Sequence, residues 1–318
     1  MSEKRMWGDK PYYSLDYYLK ENFGRKIYKL SLNAGLTCPN RDGTLGLGGC
    51  IFCSSGGSGD FGASPLLSVT EQIEAGKALI YKKLPAAVKA SPVSSEEKEA
   101  SFIAYFQAYT NTYGDISYLR KTFMEALNHK DIALLSIATR PDCLGVEVLE
   151  LLAECAAKKP LWVELGLQTI HEDTARFIRR GYSLSVFEKA VRDLNALGAK
   201  IITHMILGLP GEDSSKVLTS MEYLAKQQIQ GVKLQLLHVL KDTDLAHIPY
   251  NPLELEEYTD LLIACIENLP ENMVIHRLTG DGPKKLLLSP LWSGNKKLVL
   301  NHIHKEMKAR DSWQGKSL

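Results

Sequence analysis

Six times along this 318-residue chain an apolar, β-branched run is followed by an amphipathic stretch of helix length. That alternation predicts repeated strand–helix units and a parallel sheet covered by helices, because parallel neighbours need a long crossover between them. The first predicted strand is KIYKLSLN (26–33), followed after a glycine- and serine-rich loop by the helical SVTEQIEAGKALIYKK. ASFIAYFQAYTN (100–111) precedes the helix DISYLRKTFMEALNH, DIALLSIATRPD precedes VEVLELLAECAAK, and PLWVELGLQT precedes HEDTARFIRRG and SLSVFEKAVRDLNALG. AKIITHMILGLPGE leads to SKVLTSMEYLAKQQ, and GVKLQLLHVL to LELEEYTDLLIACIENL. The pattern fits a β/α barrel, partial or full, or an open doubly wound sheet. The positions of the unusual residues favour the barrel. Residues 38–53, 107–111, 139–142, 168 and 208–211 all fall at C-terminal strand ends, where such folds place their chemistry. Residues 84–100, with two prolines and a charged run, are expected to form a surface excursion, and the tyrosines of the first 25 residues to pack on the barrel or its mouth.

No apolar run approaches the roughly 20 residues of a membrane helix, so no membrane partner is expected. The start, MSEKRMWGDKPYY, lacks a basic-then-apolar secretory pattern, and KSL at the end is not the peroxisomal SKL, which points to the cytoplasm. In that reducing compartment six cysteines are not a disulfide framework. Cys143, Cys155 and Cys265 are scattered and read as ordinary thiols.

Cys38, Cys50 and Cys53 are clustered in CPNRDGTLGLGGCIFC. A thioredoxin-type pair at Cys50 and Cys53 would need a helix N-terminus to lower the first thiol's pKa, but the sequence continues as the loop SSGGSGDFG. A structural zinc ion wants four ligands, and the next histidine is His129, so a zinc-stabilised RNA-binding module without catalysis stays open only with a distant fourth ligand. An iron–sulfur cluster on three thiolates leaves one iron open to a small molecule, and glycines 43, 46, 48 and 49 allow the backbone to wrap closely around it.

Three cysteines after the first strand of a β/α pattern, with Phe52 just before the last, resemble the radical S-adenosylmethionine (SAM) superfamily. The usual spacing there is CxxxCxxC, whereas eleven residues separate Cys38 from Cys50. The widened form resembles the branch containing the catalytic subunit of Elongator, and most closely the bacterial YhcC/YtqA family. The ordered set CPNRDG, GGCIFC, IATRPD, VELGLQT, RRGYS, THMILGLPGE, HVLKDTDLA, RLTGDGP and LWSGNKK carries the resemblance across roughly residues 26–297.

The resemblance implies a partial (β/α)6-type, TIM-like radical SAM barrel over 26–270, an N-terminal extension (1–25) packed on it and a basic C-terminal extension (271–318). It implies a [4Fe-4S] cluster on Cys38, Cys50 and Cys53, with SAM chelating the fourth iron and cleaved reductively to a 5′-deoxyadenosyl radical. Phe52 would pack on the adenine. The usual Gly-Gly-Glu-like motif is replaced by Gln107-Ala108-Tyr109-Thr110-Asn111, which would pass the contact with the methionyl amine to Thr110 or Asn111. Gln168 matches a ribose-binding glutamine, and Arg180, twelve residues on, an arginine that pairs with the SAM carboxylate. Glu164 shares a strand face with Gln168 and needs a partner, either SAM or a basic residue. His204 reads equally as a ribose contact or a core histidine, and Ile206 to Gly208 would line the adenine.

For substrate, the resemblance implies tRNA wobble uridine, with a 5-carboxymethylaminomethyl side chain converted to aminomethyl on the route to methylaminomethyl-2-thiouridine. It also implies an electron donor such as flavodoxin or ferredoxin. From Met273 onward nine Lys or Arg face three Asp or Glu, a surplus of six in a chain whose net charge is +1. Lys284, Lys285, Lys296, Lys297, Lys305, Lys308 and Arg310, interleaved with Trp292 and Trp313, suit phosphate contact and base stacking. The residues after the barrel are too few for the acetyltransferase-like domain of Elongator. A radical SAM enzyme on a small metabolite is the competing expectation, and it lacks salt-sensitive tRNA binding.

Overall fold

The structure is a computed structural model that describes residues 4–57, 59–60, 62–83, 101–280 and 282–318. The excursion expected at 84–100 lies outside the described residues. Nine strands are present among them: β1 (Tyr28–Leu32), β2 (Phe102–Phe106), β3 (Ile132–Thr139), β4 (Leu161–Gln168), β5 (Lys200–Leu207), β6 (Gly231–Leu236), β7 (Val239–Leu240), β8 (Val274–Arg277) and β9 (Leu287–Ser289). The nine α-helices are α1 (Leu15–Phe23), α2 (Val69–Lys83), α3 (Ile116–Asn128), α4 (Val146–Lys158), α5 (Glu172–Phe177), α6 (Leu184–Ala196), α7 (Ser214–Ala225), α8 (Leu255–Glu267) and α9 (Lys296–Ala309). Polar side chains start several of them: Ser14, Asp115 and Asp213 each accept a hydrogen bond from the backbone N–H three residues on.

Seven strands form one parallel sheet in the order β1-β2-β3-β4-β5-β6-β8. The six strand–helix units expected from the sequence are all present, and β8 adds a seventh strand past residue 270. VIHR is too short and too polar for its pattern to announce a strand, but Val274 and Ile275 find β6 as a ready partner. The run GVKLQLLHVL divides, because β7 leaves the sheet to pair antiparallel with β9.

The sheet curls into a half-barrel. In a flat sheet β2 and β6 would stand nearly 20 Å apart at about 4.8 Å per strand, yet Lys233 Nζ donates to Tyr105 OH at 3.2 Å. The convex face packs under the helices in one large core that includes Leu32, Phe106, Phe123, Val163 and Leu234. The concave face carries a second cluster of Ile103, Tyr105, Leu134, Trp162 and Ile202, closed from below by Leu19 of α1. Burying each such large apolar side chain contributes about 1.5–3 kcal/mol.

The segment before α1 runs along the free edge of β8, where Ile275 N–H donates to Tyr13 O at 2.8 Å. The N-terminal tyrosines therefore pack on the barrel base: Tyr18 lies 5.9 Å from Trp162, and Tyr12 OH is 3.0 Å from His304 Nε2. Gly231 is required where β6 meets β8, since a Cβ there would lie 2.6 Å from His276 Nε2. Among the described residues no helix is long and apolar enough to cross a membrane.

Candidate active site

The cysteine segment forms a loop at the C-terminal end of β1, and its shape is held by groups from outside it. Asn40 Nδ2 donates to Arg179 O at 2.7 Å, tying the loop to the segment after α5. Arg41 Nη2 donates to Cys53 O at 2.9 Å and Ser54 O at 2.5 Å, and its guanidinium lies 5.7 Å from the Tyr109 ring. Gly57 allows this closure, because a Cβ there would fall 2.2 Å from Tyr109 Cδ1. Tyr109 itself has φ 58°, a left-handed conformation that costs a non-glycine residue energy and is held by its surroundings.

Cys38, Cys50 and Cys53 are half-buried, unbridged, and line one cavity of about 170 Å³. Burial and the neighbouring Cys53 push the Cys50 thiol up to about 12, against the pull of Arg140 and Asn40. Burial also raises Cys53, against Arg41. A bound cation would reverse both shifts, since ligation takes thiolate. The three thiols share one space, since Cys53 and Cys38 both act electrostatically on Cys50, and a donor set of soft thiolates on a loop turned by glycines fits an iron–sulfur cluster.

The remaining expected residues divide into those that reach the cavity and those that do not. Phe52, Thr110, Glu164, Gln168, Arg180 and His204 line it. Gln168 has φ 65° at the end of β4, where the pairing with β5 slips, so strained backbone turns this residue at the site. Ile206 faces an adjoining cavity shared with Phe52, Gln168 and His204. Asn111 does not line the cavity. It is fully buried behind it, donating to Phe106 O at 3.1 Å and Ala138 O at 2.9 Å. Gly208 (φ 86°) is also set back, its carbonyl accepting from Tyr250 OH at 2.5 Å. Arg180 spends its donors on carbonyls: Nε on Tyr182 O at 3.0 Å, and Nη1 on Leu167 O at 3.2 Å and Thr169 O at 2.6 Å. Arg140, just after β3, is another guanidinium on the cavity and is paired with Asp142 at 2.9 and 2.7 Å.

Below this level the half-barrel encloses a charged group. Glu164 is fully buried and accepts from Lys29 Nζ at 2.8 Å, Ser136 Oγ at 2.8 Å and His204 Nε2 at 2.7 Å, and it is also paired with Lys233. Burial opposes its charge, but Lys233 and Lys29, with the His204 hydrogen bond, hold its carboxyl well below the usual range. Burial, then Lys233, lowers His204 to about 4, so at neutral pH it is an uncharged donor. Lys233 is lowered by burial, with Glu164 opposing and Lys29 and Arg277 reinforcing. The Glu164 partner expected from the sequence is thus basic, and His204 is a hydrogen-bonded interior histidine at the cavity floor. Sequence reasoning missed Arg140, Lys233 and Arg277. Arg140 was signalled by its place in IATRPD, and Lys233 by a cation in the middle of the largely apolar strand GVKLQL.

The basic C-terminal segment is differently arranged from the expectation. Lys284, Lys285, Lys296, Lys297, Lys305 and Lys308 are exposed. Trp292 instead packs 5.7 Å from Tyr258 and donates to Leu253 O at 3.2 Å, Trp313 is covered by Lys316 at 5.0 Å, and Arg310 pairs with Asp260 at 2.6 Å. Neither tryptophan is an open stacking platform, because each completes the packing of an otherwise polar segment.

Comparison with known proteins agrees with this geometry. Residues 37–224 match the model of the radical SAM superfamily, and residues 229–309 match that of a radical SAM C-terminal domain. The chain is similar to the uncharacterized protein YtqA of Bacillus subtilis (strain 168), 41% identical over 97% of this chain and 93% of that one. It is 26% identical to the tRNA uridine(34) acetyltransferase of Methanocaldococcus jannaschii over 57% of this chain and 34% of that one. Its fold resembles the solved Methanocaldococcus infernus Elp3 with an N-terminal deletion, with a TM-score of 0.65 and 16% identity over 91% of this chain and 64% of that one. The chain belongs to the radical SAM superfamily and is an enzyme whose membership implies a [4Fe-4S] cluster and SAM.

Proposed function

We propose that this radical SAM enzyme acts on the wobble uridine of tRNA in the cytoplasm, taking a 5-carboxymethylaminomethyl side chain to the aminomethyl form on the route to methylaminomethyl-2-thiouridine. The observation that carries the reading is the sequence relationship, over more than half of this chain, to a protein described as a tRNA uridine(34) acetyltransferase. The exposed lysines of the C-terminal segment support it, since they offer phosphate-binding charge on a chain of near-zero net charge.

When bound, the cluster and SAM supply reductive cleavage to an adenosyl radical, fed by a donor such as flavodoxin or ferredoxin. The chain holds, orients and shields these groups. Cys38, Cys50 and Cys53 would ligate three irons. In this reading Phe52, Gln168 and Ile206 would flank the adenosyl group, and Thr110, Arg140 and Arg180 would hold the methionyl end; all six line the two adjoining cavities. Beneath the cavity Ile103, Leu134, Trp162 and Ile202 pack around the buried Glu164 and its cations.

Nucleoside mass spectrometry of tRNA from a strain lacking this gene tests the reading. Carboxymethylaminomethyl-uridine should accumulate at the expense of the aminomethyl and methylaminomethyl forms. An unchanged wobble-uridine profile would refute the assignment and favour a small-molecule substrate.

A further inference from the structure

Two polar side chains of β6 reach the concave side of the half-barrel, and they meet different surroundings. Lys233 lies in a charged row beneath the cavity, beside its register partners His204 and Arg277, with Glu164 and Lys29 completing the row. Gln235, two residues on and about 6.6 Å higher along the strand, pairs in register with Ile206 of β5. It is the only residue of β6 that is not fully buried. Its side chain lines both the cysteine cavity and an adjoining cavity of about 170 Å³, which none of the three cysteines lines.

Three glutamines line both cavities, and two of their amides are committed. Gln107 Oε1 accepts from Ser31 Oγ at 3.1 Å. Gln168, with its amide nitrogen turned to the backbone, donates to Leu167 O at 2.9 Å and Gly166 O at 3.3 Å. The other polar side chains of the adjoining cavity are engaged as well: Ser54 Oγ donates to Asp60 at 2.8 Å, His204 donates to Glu164 at 2.7 Å, and His238 and Arg277 have partners of their own. Among the described residues the Gln235 amide has no hydrogen-bond partner. A free carboxamide offers an acceptor and a donor side by side, so its complement is a planar group with a donor and an acceptor on neighbouring atoms. The imide edge of uracil, N3–H beside a carbonyl, is such a group, whereas a phosphate or a carboxylate only accepts. Adenine has a similar edge, N1 beside its 6-amino group, but SAM belongs to the cysteine cavity and Gln235 also borders the space beyond it.

We propose that Gln235 holds the substrate base by this edge, its Oε1 accepting from N3–H and its Nε2 donating to the neighbouring carbonyl. The inference rests on the tRNA reading and adds the way in which the uracil is gripped. The ring then lies in the adjoining cavity against Ile206, Leu240 and Pro283, with its 5-substituent turned toward the cysteine cavity. A wobble base, unpaired in its loop, enters such a pocket without breaking a base pair.

The test is binding of two anticodon stem–loops to the cluster-reconstituted protein with SAM, one carrying 5-carboxymethylaminomethyl-uridine at the wobble position and one its N3-methyl derivative. The wild type should bind the first about tenfold more tightly, because methylation removes the donor and strands the amide. Gln235→Met, similar in length but without the amide, should bind both RNAs within about twofold of each other and keep its SAM affinity within about twofold of wild type in equilibrium dialysis. The ratio is read in protein that keeps its cluster absorbance, and the wild-type comparison needs no variant. Equal wild-type affinity for the two RNAs, or an undiminished preference in Gln235→Met, would overturn the role of Gln235 while leaving the tRNA reading intact. A tenfold fall in SAM affinity in that variant would assign the amide to the adenine edge and likewise overturn it. Binding of neither RNA would overturn the tRNA reading, and this inference with it.

Discussion

The cysteine loop and the charged row beneath it face one cavity but are built in opposite ways. The loop is local: three thiols within sixteen residues, backbone turned by glycines, and its fit to a cluster set by what the chain leaves open. The row is non-local. Lys29, Glu164, His204, Lys233 and Arg277 come from five strands and meet only because the sheet curls. The loop is arranged to receive a cofactor, and the row already spends its one anion on its own cations. Substitutions in the loop should therefore strike function and spare the fold, whereas substitutions in the row should strike both.

The strongest break in that contrast comes from the loop. Replacing Cys38, Cys50 or Cys53 with alanine should abolish cluster absorbance and lower SAM cleavage by at least about a thousandfold. The thermal midpoint of the metal-free protein should stay put, because each thiol is half-buried and none anchors the core. In the row, Glu164→Ala should destabilise the metal-free protein by about 3–5 kcal/mol in a denaturant titration, because Lys29 and Lys233 lose their counter-charge. Adding Lys233→Met should restore part of that loss, since it removes the cation that Glu164→Ala strands.

Two guanidiniums sharpen the contrast further. Arg140→Ala should weaken SAM binding about tenfold in equilibrium dialysis, with a smaller loss of stability as Asp142 loses its bidentate partner. Arg180→Ala should cost stability first, because the carbonyls of Leu167, Thr169 and Tyr182 lose their donor. The smallest effect is on pH. His204 is held near 4 in the fold against an ordinary 6.5, so between those values the unfolded chain binds more protons and stability rises with pH. From roughly pH 5.5 to 6.5 this amounts to about 1 kcal/mol, and in His204→Gln the rise should be shallower by that amount.

The same contrast explains what could be read from the sequence. The strand–helix alternation and the cysteine loop are legible because each is written in neighbouring residues. The seventh strand is not, because four residues of mixed character become a strand only beside β6. Asn111 looked like a ligand-binding residue from its place at a strand end, but the turn there buries it against the carbonyls of Phe106 and Ala138. Glu164 was correctly seen to need a partner, yet which cation it would meet depended on strand order and curl. Trp292 and Trp313 looked like stacking faces because a sequence shows an aromatic ring without showing what covers it.

The most direct test of the account uses the reconstituted enzyme with SAM, a reductant and tRNA whose wobble carboxymethylaminomethyl group carries deuterium at both methylene positions. Recovery of deuterium in 5′-deoxyadenosine, together with an aminomethyl wobble nucleoside, is the predicted result. Unlabelled 5′-deoxyadenosine beside an unchanged wobble nucleoside would contradict the account.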